Sequence, residues 1–347
     1  MPLVRYIDRG QAQANGKKNE CLTNKTIVTM KKIVFVALAM LMTISGCKAG
    51  EQTENSVVTE KRSVGKFSGV TLIGPYNVVC TQGEACSVTV EAPKEVAGKL
   101  QTEVKDGVLT ISREKIAGVR VVDNGKDANM TTVYVTLPML RSVALIGSGD
   151  VVVKGKVTSD DRLSVSLSGS GDIDMGDVEV RFANFSLAGS GDVKAANVKG
   201  MQMNMSLAGS GDVSVKRVEA DKADFSLAGS GDVRVGNVAA ANVTVSSAGS
   251  GDMEMDKVDC AVLTVNQTSS SDVAIRNVKA VTTNVNKTGS GDVKIAGTTN
   301  FYNELKHGSG KIDTSGLRCK EGKQTKLGGG LSVSGGAASP NGIEPEP

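Results

Sequence analysis

The chain has 347 residues, with 41 glycines, no tryptophan, one histidine (His307) and only 3% aromatic residues. Its 40 basic and 37 acidic residues leave a net charge of +3, without the basic stripe that marks a nucleic-acid binder. One histidine and six scattered cysteines exclude most structural zinc sites, which take four Cys/His ligands at short spacings. No nucleic-acid partner, cofactor or metal is expected, and the Gly, Ser and Val content points to strands and tight turns.

Residues 1–29 are polar and patternless and read as an upstream extension before a second start at Met30. Lys31 and Lys32 then precede an apolar run from Ile33 to Ile44, followed by Ser45, Gly46 and Cys47. A charged start, a short apolar stretch and small residues form a secretory signal over 30–46; the run is too short for a membrane span of about 20 residues. The ending resembles a bacterial lipobox, which makes Cys47 the lipid attachment site and the mature N-terminus. In an ordinary signal peptide Cys47 would be incidental. Lys48 is not the Asp associated with inner-membrane retention, so a lipid-anchored position at the outer membrane or cell surface is favoured. Residues 47–62 are polar and read as a flexible tether.

Residues 63–146 are strand-like without a strict repeat and are expected to form irregular opening coils. Val78 to Val90 reads as a hairpin about Gln82, Gly83 and Glu84. Cys80 and Cys86 would face each other across it and form a disulfide in an oxidising envelope. Lys105-Asp106-Gly107 marks a second turn.

From Gly147 the sequence repeats. Gly-Ser-Gly-Asp begins at Gly147, Gly169, Gly189, Gly209, Gly229, Gly249 and Gly289, with degenerate copies at Ser269 and Gly308. The period is close to 20, the mark of a solenoid. Other columns keep it: Phe185, Met205, Phe225, Val245, Val265 and Val285, and Val198, Val218, Val238, Val258 and Val278. Within a unit, apolar and polar residues alternate in twos, as in strands. The expectation is an all-β parallel β-helix over 63–316, with coils about 4.8 Å apart; a β-propeller needs periods of about 40 or more. Residues 317–347 read as a flexible tail.

Phe67-Ser68-Gly69-Val70, Tyr76-Asn77-Val78 before Thr81-Gln82-Gly83, and the Gly-Ser-Gly-Asp repeats resemble the head GIN domain of bacterial auto-transporter adhesins over residues 63–316. The resemblance implies a right-handed β-helix and an envelope location, and it implies no reaction.

The repeat places Asp150, Asp172, Asp192, Asp212, Asp232, Asp252, Asp272 and Asp292 in one column. Each Asp is expected to cap its own corner in an Asx-type turn. A calcium ladder is the other reading, but one Asp per coil supplies too few oxygens for the six to eight that calcium takes. Enzymes on β-helices need clustered, non-repeating carboxylates with Lys, Arg or His beside them, so a polysaccharide-active enzyme is the weakest reading. Cys260 falls in a column of small residues, and His307 reads as a solvated turn residue. Ser186, Ser206, Ser226, Ser246, Asn266 and Asn286 form an outward stripe, beside Asn184, Asn204, Asp224, Thr244, Thr264 and Asn284. That stripe suits hydrogen bonding to a glycan or protein ligand, though any exposed β-face is polar. The expected protein is a membrane-anchored, non-catalytic binding module, or else an envelope lipoprotein without a discrete ligand.

Overall fold

A computed structural model of the chain describes residues 56–113, 130–327 and 330–332. The upstream extension, the signal segment and Cys47 lie outside the described residues. The opening part contains β1 (Val57–Arg62), β2 (Gly69–Ile73), β3 (Asn77–Gln82), β4 (Ser87–Pro93), a single-turn α1 (Lys94–Ala97), β5 (Leu100–Lys105), β6 (Val108–Arg113), β7 (Thr132–Leu137), β8 (Ser142–Gly147) and β9 (Val151–Lys154). The turn expected at Asp106-Gly107 is present. Both residues have positive φ, 52° and 76°, and they join β5 to β6 as an antiparallel pair, the backbone that two-residue hairpins favour.

The hairpin expected over Val78–Val90 is not formed. Strand β3 pairs in parallel with β7, and β4 pairs antiparallel with the same β7, so β7 lies between them. Cys80 is in register with Val135, which is in register with Val88. Two strand spacings, roughly 9.6 Å, then separate β3 from β4, beyond the ~7 Å Cα limit of a disulfide. Cys80 and Cys86 are both free thiols.

From β8 onward the pairing is parallel up to β21. The coils comprise β10 (Val157–Gly169), β11 (Ile173–Met175), β12 (Val178–Leu187), β13 (Val193–Lys199), β14 (Gln202–Leu207), β15 (Val213–Leu227), β16 (Val233–Ser247), β17 (Met253–Gln267), β18 (Val273–Lys287), β19 (Val293–Lys306), β20 (Ile312–Asp313), β21 (Leu317–Leu327) and β22 (Gly330–Ser332). They form a solenoid of about nine turns. The register follows the 20-residue period: Val213 pairs with Val233, Phe225 with Val245 and Ser226 with Ser246. Stacking by period requires each column to keep its face, and the Phe185-to-Val285 and Val198-to-Val278 columns are buried throughout. Burying such side chains stabilises the fold by about 1.5–3 kcal/mol each.

Two boundaries differ from the sequence expectation. Val57–Arg62, assigned to the tether, pairs with β4 along its whole length. Leu317–Leu327, assigned to the tail, adds a further coil on β19. Polarity hides both segments: the side chains of β1 alternate between exposed and half-buried, and Arg318 and Lys320 on the last coil are exposed, which discourages edge pairing.

The interior changes character toward the C-terminus. One inward column runs Leu167, Leu187, Leu207 and Leu227 and continues as Ser247, Gln267 and Lys287. Ser247, Gln267 and Lys287 are as buried as the leucines. Gln267 Nε2 donates to the Ser269 and Ser271 carbonyls, at 2.8 Å each, and Ser247 Oγ bonds Ser271 Oγ. This network tethers the one corner where serines replace both glycines. Lys287 Nζ donates to the Gly289 carbonyl at 2.6 Å. In the last regular coil Tyr302 Oη bonds Glu304 Oε2 at 2.8 Å, and Glu304 stands in register with Val285. The leucine column thus gives way to polar side chains that bond mainly to the carbonyls of their own corners.

Candidate binding face and the aspartate column

Each Gly-Ser-Gly-Asp segment forms a corner stacked on the corner before it. A Cβ at Gly191 would lie 1.9 Å from the Gly171 carbonyl oxygen, a separation no side chain tolerates. Glycine is required there by the close approach of backbone to backbone, and the neighbouring Asp then falls at the same point of every coil.

The aspartates accept backbone N–H bonds, though not from their own corners. Asp172 N–H donates to Asp150 Oδ1 at 3.0 Å, Asp192 N–H to Asp172 at 2.8 Å and Asp212 N–H to Asp192 at 3.0 Å. The series continues through Asp232, Asp252, Asp272 and Asp292 at 2.7–3.0 Å and ends with Lys311 N–H on Asp292 at 2.7 Å. At its start Asn77 Oδ1 accepts from Asp150 N–H at 3.3 Å. The Asx-turn expectation is therefore corrected. Each carboxylate accepts from the backbone N–H of the aspartate one coil on and so links its coil to the next. Arg234 bridges two of the outer oxygens, 3.1 Å from Asp212 and 2.6 Å from Asp232, and Lys194 lies 3.3 Å from Asp192. Among the described residues, no group of three or more His, Cys, Asp or Glu side chains is placed to hold a metal ion.

The serine and asparagine stripe lies on one flat sheet face. Ser186, Ser206, Ser226 and Asn286 are exposed, while Ser246 and Asn266 are half-buried. In the neighbouring column the amides form ladders: Asn204 Nδ2 donates to Asn184 Oδ1 at 2.8 Å and Asn303 Nδ2 to Asn284 Oδ1 at 2.9 Å. Asn286 Nδ2 donates to Asn266 Oδ1 at 2.9 Å. Asp224 is the one ionisable side chain in these two columns between Ser164 and Leu305, and Lys222 neutralises it at 2.6 Å. The face is flat, small-featured and uncharged, and it presents both hydrogen-bond donors and acceptors.

A neighbouring face is charged. A shallow trough of about 310 Å³ is lined by Lys156, Asp177, Glu179, Lys199, Arg217 and Glu219, among others. Its charges alternate along the stack: Lys156 pairs with Glu179 at 2.5 Å and Arg217 with Glu219 at 3.7 Å. Lys156 holds the Glu179 carboxyl below the usual range, first by hydrogen bonding and then by its charge. The trough satisfies itself and leaves little for a ligand.

The remaining candidates stand apart from each other. His307 is exposed at the last repeat, and its backbone N–H bonds the Lys287 carbonyl at 2.7 Å. Cys260 and Cys319 are free thiols, three coils apart through Ala280 and Thr299. Burial pushes the Cys80 thiol up to about 12; burial, with Asp259 beside it, does the same for Cys260.

Sequence reasoning missed two features. The Leu227, Ser247, Gln267, Lys287 succession keeps the 20-residue spacing and was open to the same column reading as the phenylalanines. The exposed aromatic Phe301, 44% accessible, occupies the outward column of Lys222, Asn242, Val262 and Thr282, whereas the register shift that sets Gly322 opposite it carries no local signal.

A family model described as "Putative auto-transporter adhesin, head GIN domain" matches residues 66–255, and a second, Toastrack, matches residues 201–316. Among solved structures, a putative adhesin from Parabacteroides distasonis is 16% identical, with 75% of this chain and 98% of that one covered and a TM-score of 0.52. A putative adhesin from Parabacteroides merdae is 17% identical over 74% of this chain and 95% of that one, with a TM-score of 0.50. A putative lipid binding protein from P. distasonis is 21% identical over 78% and 96%, with a TM-score of 0.47. No curated protein matches the chain. At these identities the solved structures bear on the fold alone.

Proposed function

We propose, from the premise that the chain belongs to the head GIN domain family of auto-transporter adhesins, that it is a non-catalytic adhesion module of the bacterial envelope. In this reading it is held at the outer membrane or cell surface by acyl chains on Cys47, and it engages a glycan or protein through its uncharged serine and asparagine face. One observation carries the reading. Across the stacked coils the two outward columns expose one ionisable side chain, Asp224, already neutralised by Lys222, whereas the neighbouring trough is filled with mutually satisfied charges. An uncharged polar surface costs less to desolvate than a charged one, provided the partner replaces its hydrogen bonds.

Beads coated with the purified protein are expected to adhere to cells or to arrayed glycans. Ser206→Arg together with Ser226→Arg is expected to abolish adherence without changing the melting temperature, since both sites face water. Adherence unaffected by these substitutions would overturn the assignment of the face. Absence of adherence to any surface would favour a structural envelope lipoprotein. The anchor has its own test. Wild-type protein is expected in the membrane fraction with acyl chains visible by mass spectrometry, and Cys47→Ser is expected to be soluble and unmodified.

A further inference from the structure

The flat face ends in a different surface. Where earlier coils carry Lys222 and Ser226, the last regular coil carries Phe301 and Leu305, 44% and 38% exposed. Phe301 is in register with Thr282 on one side and Gly322 on the other. Strand β21 bulges at Lys320 and Glu321 before Gly322, as the jump from Thr299↔Cys319 to Phe301↔Gly322 shows. Cys319 Sγ holds this bend through the Asn300 and Gly322 carbonyls, at 3.2 and 3.0 Å. A Cβ built on Gly322 would meet nothing within 4 Å, so the Phe301 ring is bordered by an open notch instead of a neighbouring side chain.

Beside the ring the two amide ladders terminate. Asn303 donates to Asn284, and Asn286 to Asn266. Among the described residues Asn284 and Asn266 therefore keep their own N–H groups for a ligand, and Asn286 keeps its side-chain oxygen.

Resting on the reading of the face as a binding surface, we infer that this end is a contact site for an uncharged polysaccharide, with one sugar ring seated on Phe301 over Gly322. A pyranose offers an apolar C–H face for an aromatic ring, and hydroxyls that both donate and accept. The site supplies the matching set: an exposed aromatic and Leu305 beside paired amide donors and acceptors. A carboxylate or sulfate group accepts hydrogen bonds without donating any, so where it replaces a hydroxyl beside Phe301 it cannot serve the amide oxygens. The charges at the bulge, Lys320 and Glu321, are of opposite sign.

The test is native electrophoresis of the full chain in gels containing glucan, mannan or galactan, with polygalacturonate as the anionic comparison. At least one neutral polysaccharide should retard the protein and polygalacturonate should not. Phe301→Ala should weaken the retardation about tenfold, as loss of an aromatic anchor does, at unchanged melting temperature, and Phe301→Tyr should retain it. Retardation unaffected by Phe301→Ala but abolished by Ser206→Arg with Ser226→Arg would overturn this site and leave the face standing. Retardation indifferent to both would overturn both. Retardation by polygalacturonate alone, or by no polysaccharide while coated beads still adhere to cells, would overturn the ligand class.

Discussion

The backbone N–H of Asp232 donates to Oδ1 of Asp212, twenty residues earlier in the chain, at 2.9 Å. Each carboxylate in the column repeats this bond with the coil that follows. Stacked at roughly 5 Å, neighbouring carboxylates would repel by about 0.8 kcal/mol in water. The ladder offsets this by giving every coil a charge-assisted bond to the next, and Arg234 spans two of the free oxygens.

Asp252→Asn is expected to be nearly neutral, because the amide oxygen still accepts from Asp272 N–H. The chain already uses that chemistry where Asn77 receives Asp150. Asp252→Ala removes the acceptor and should cost about 1 kcal/mol. Urea denaturation of the two variants measures this, and equal losses would refute the ladder. EDTA is expected to leave the melting temperature unchanged, since one oxygen of each carboxylate already accepts a backbone N–H.

Phe225 and Ser226 are adjacent, yet one is 1% exposed and the other faces water. Phe225→Asp places an unpaired charge in the stack, and removing the ring alone costs about 3–5 kcal/mol. Ser226→Asp should shift stability by less than about 0.5 kcal/mol. Thermal melts of both variants decide the matter, and similar melting temperatures would show that the inside and outside of the coil are misassigned.

How much of this was legible depends on where each residue's partner lies. The period names the partner of Phe225 at once, since Val245 is one repeat away. Cys80 has its partner in Val135, outside any repeat, and nothing local to Cys80 and Cys86 signals that β7 separates them. The aspartates were recognisable as hydrogen-bond acceptors, but an N–H in the same corner and one a coil later look alike in sequence. Phe301 is exposed because it holds the outward column of Lys222, Asn242, Val262 and Thr282; that Gly322 stands opposite it depends on one extra residue in β21, and a register shift of that kind leaves no pattern in the composition. The polar interior at Ser247, Gln267 and Lys287 was readable from its column.

Lys287 is fully buried, and desolvation, followed by the nearby charge of Lys306, holds its amine below the ordinary value of 10.5; Asp292 and Asp272 oppose that shift. The folded chain therefore releases this proton at lower pH than the unfolded chain does. Between the two values the unfolded state binds more protons, so stability rises with pH across the window below 10.5. Lys287→Met should flatten that rise. Urea denaturation between pH 7 and pH 10 gives the comparison, and identical slopes for the two proteins would show that the buried amine is not the group responsible.

The last expectation concerns the thiols. Cys86 Sγ reaches the Phe67 carbonyl at 3.6 Å, whereas Cys80 points into the core beneath Val135 and Val153. With β7 between their strands, bonding them would require β7 to leave its place between β3 and β4, breaking the pairings on both its edges. Alkylation of the unfolded, unreduced protein followed by peptide mass spectrometry should find Cys80 and Cys86 each carrying the label. In the folded protein Cys80 should react far more slowly than Cys86, because it is buried and its thiol is pushed up to about 12, leaving little thiolate at neutral pH. A peptide pair joined through Cys80 and Cys86 would show that the oxidised domain pairs β3 directly with β4, and the opening coils would then need a different strand order.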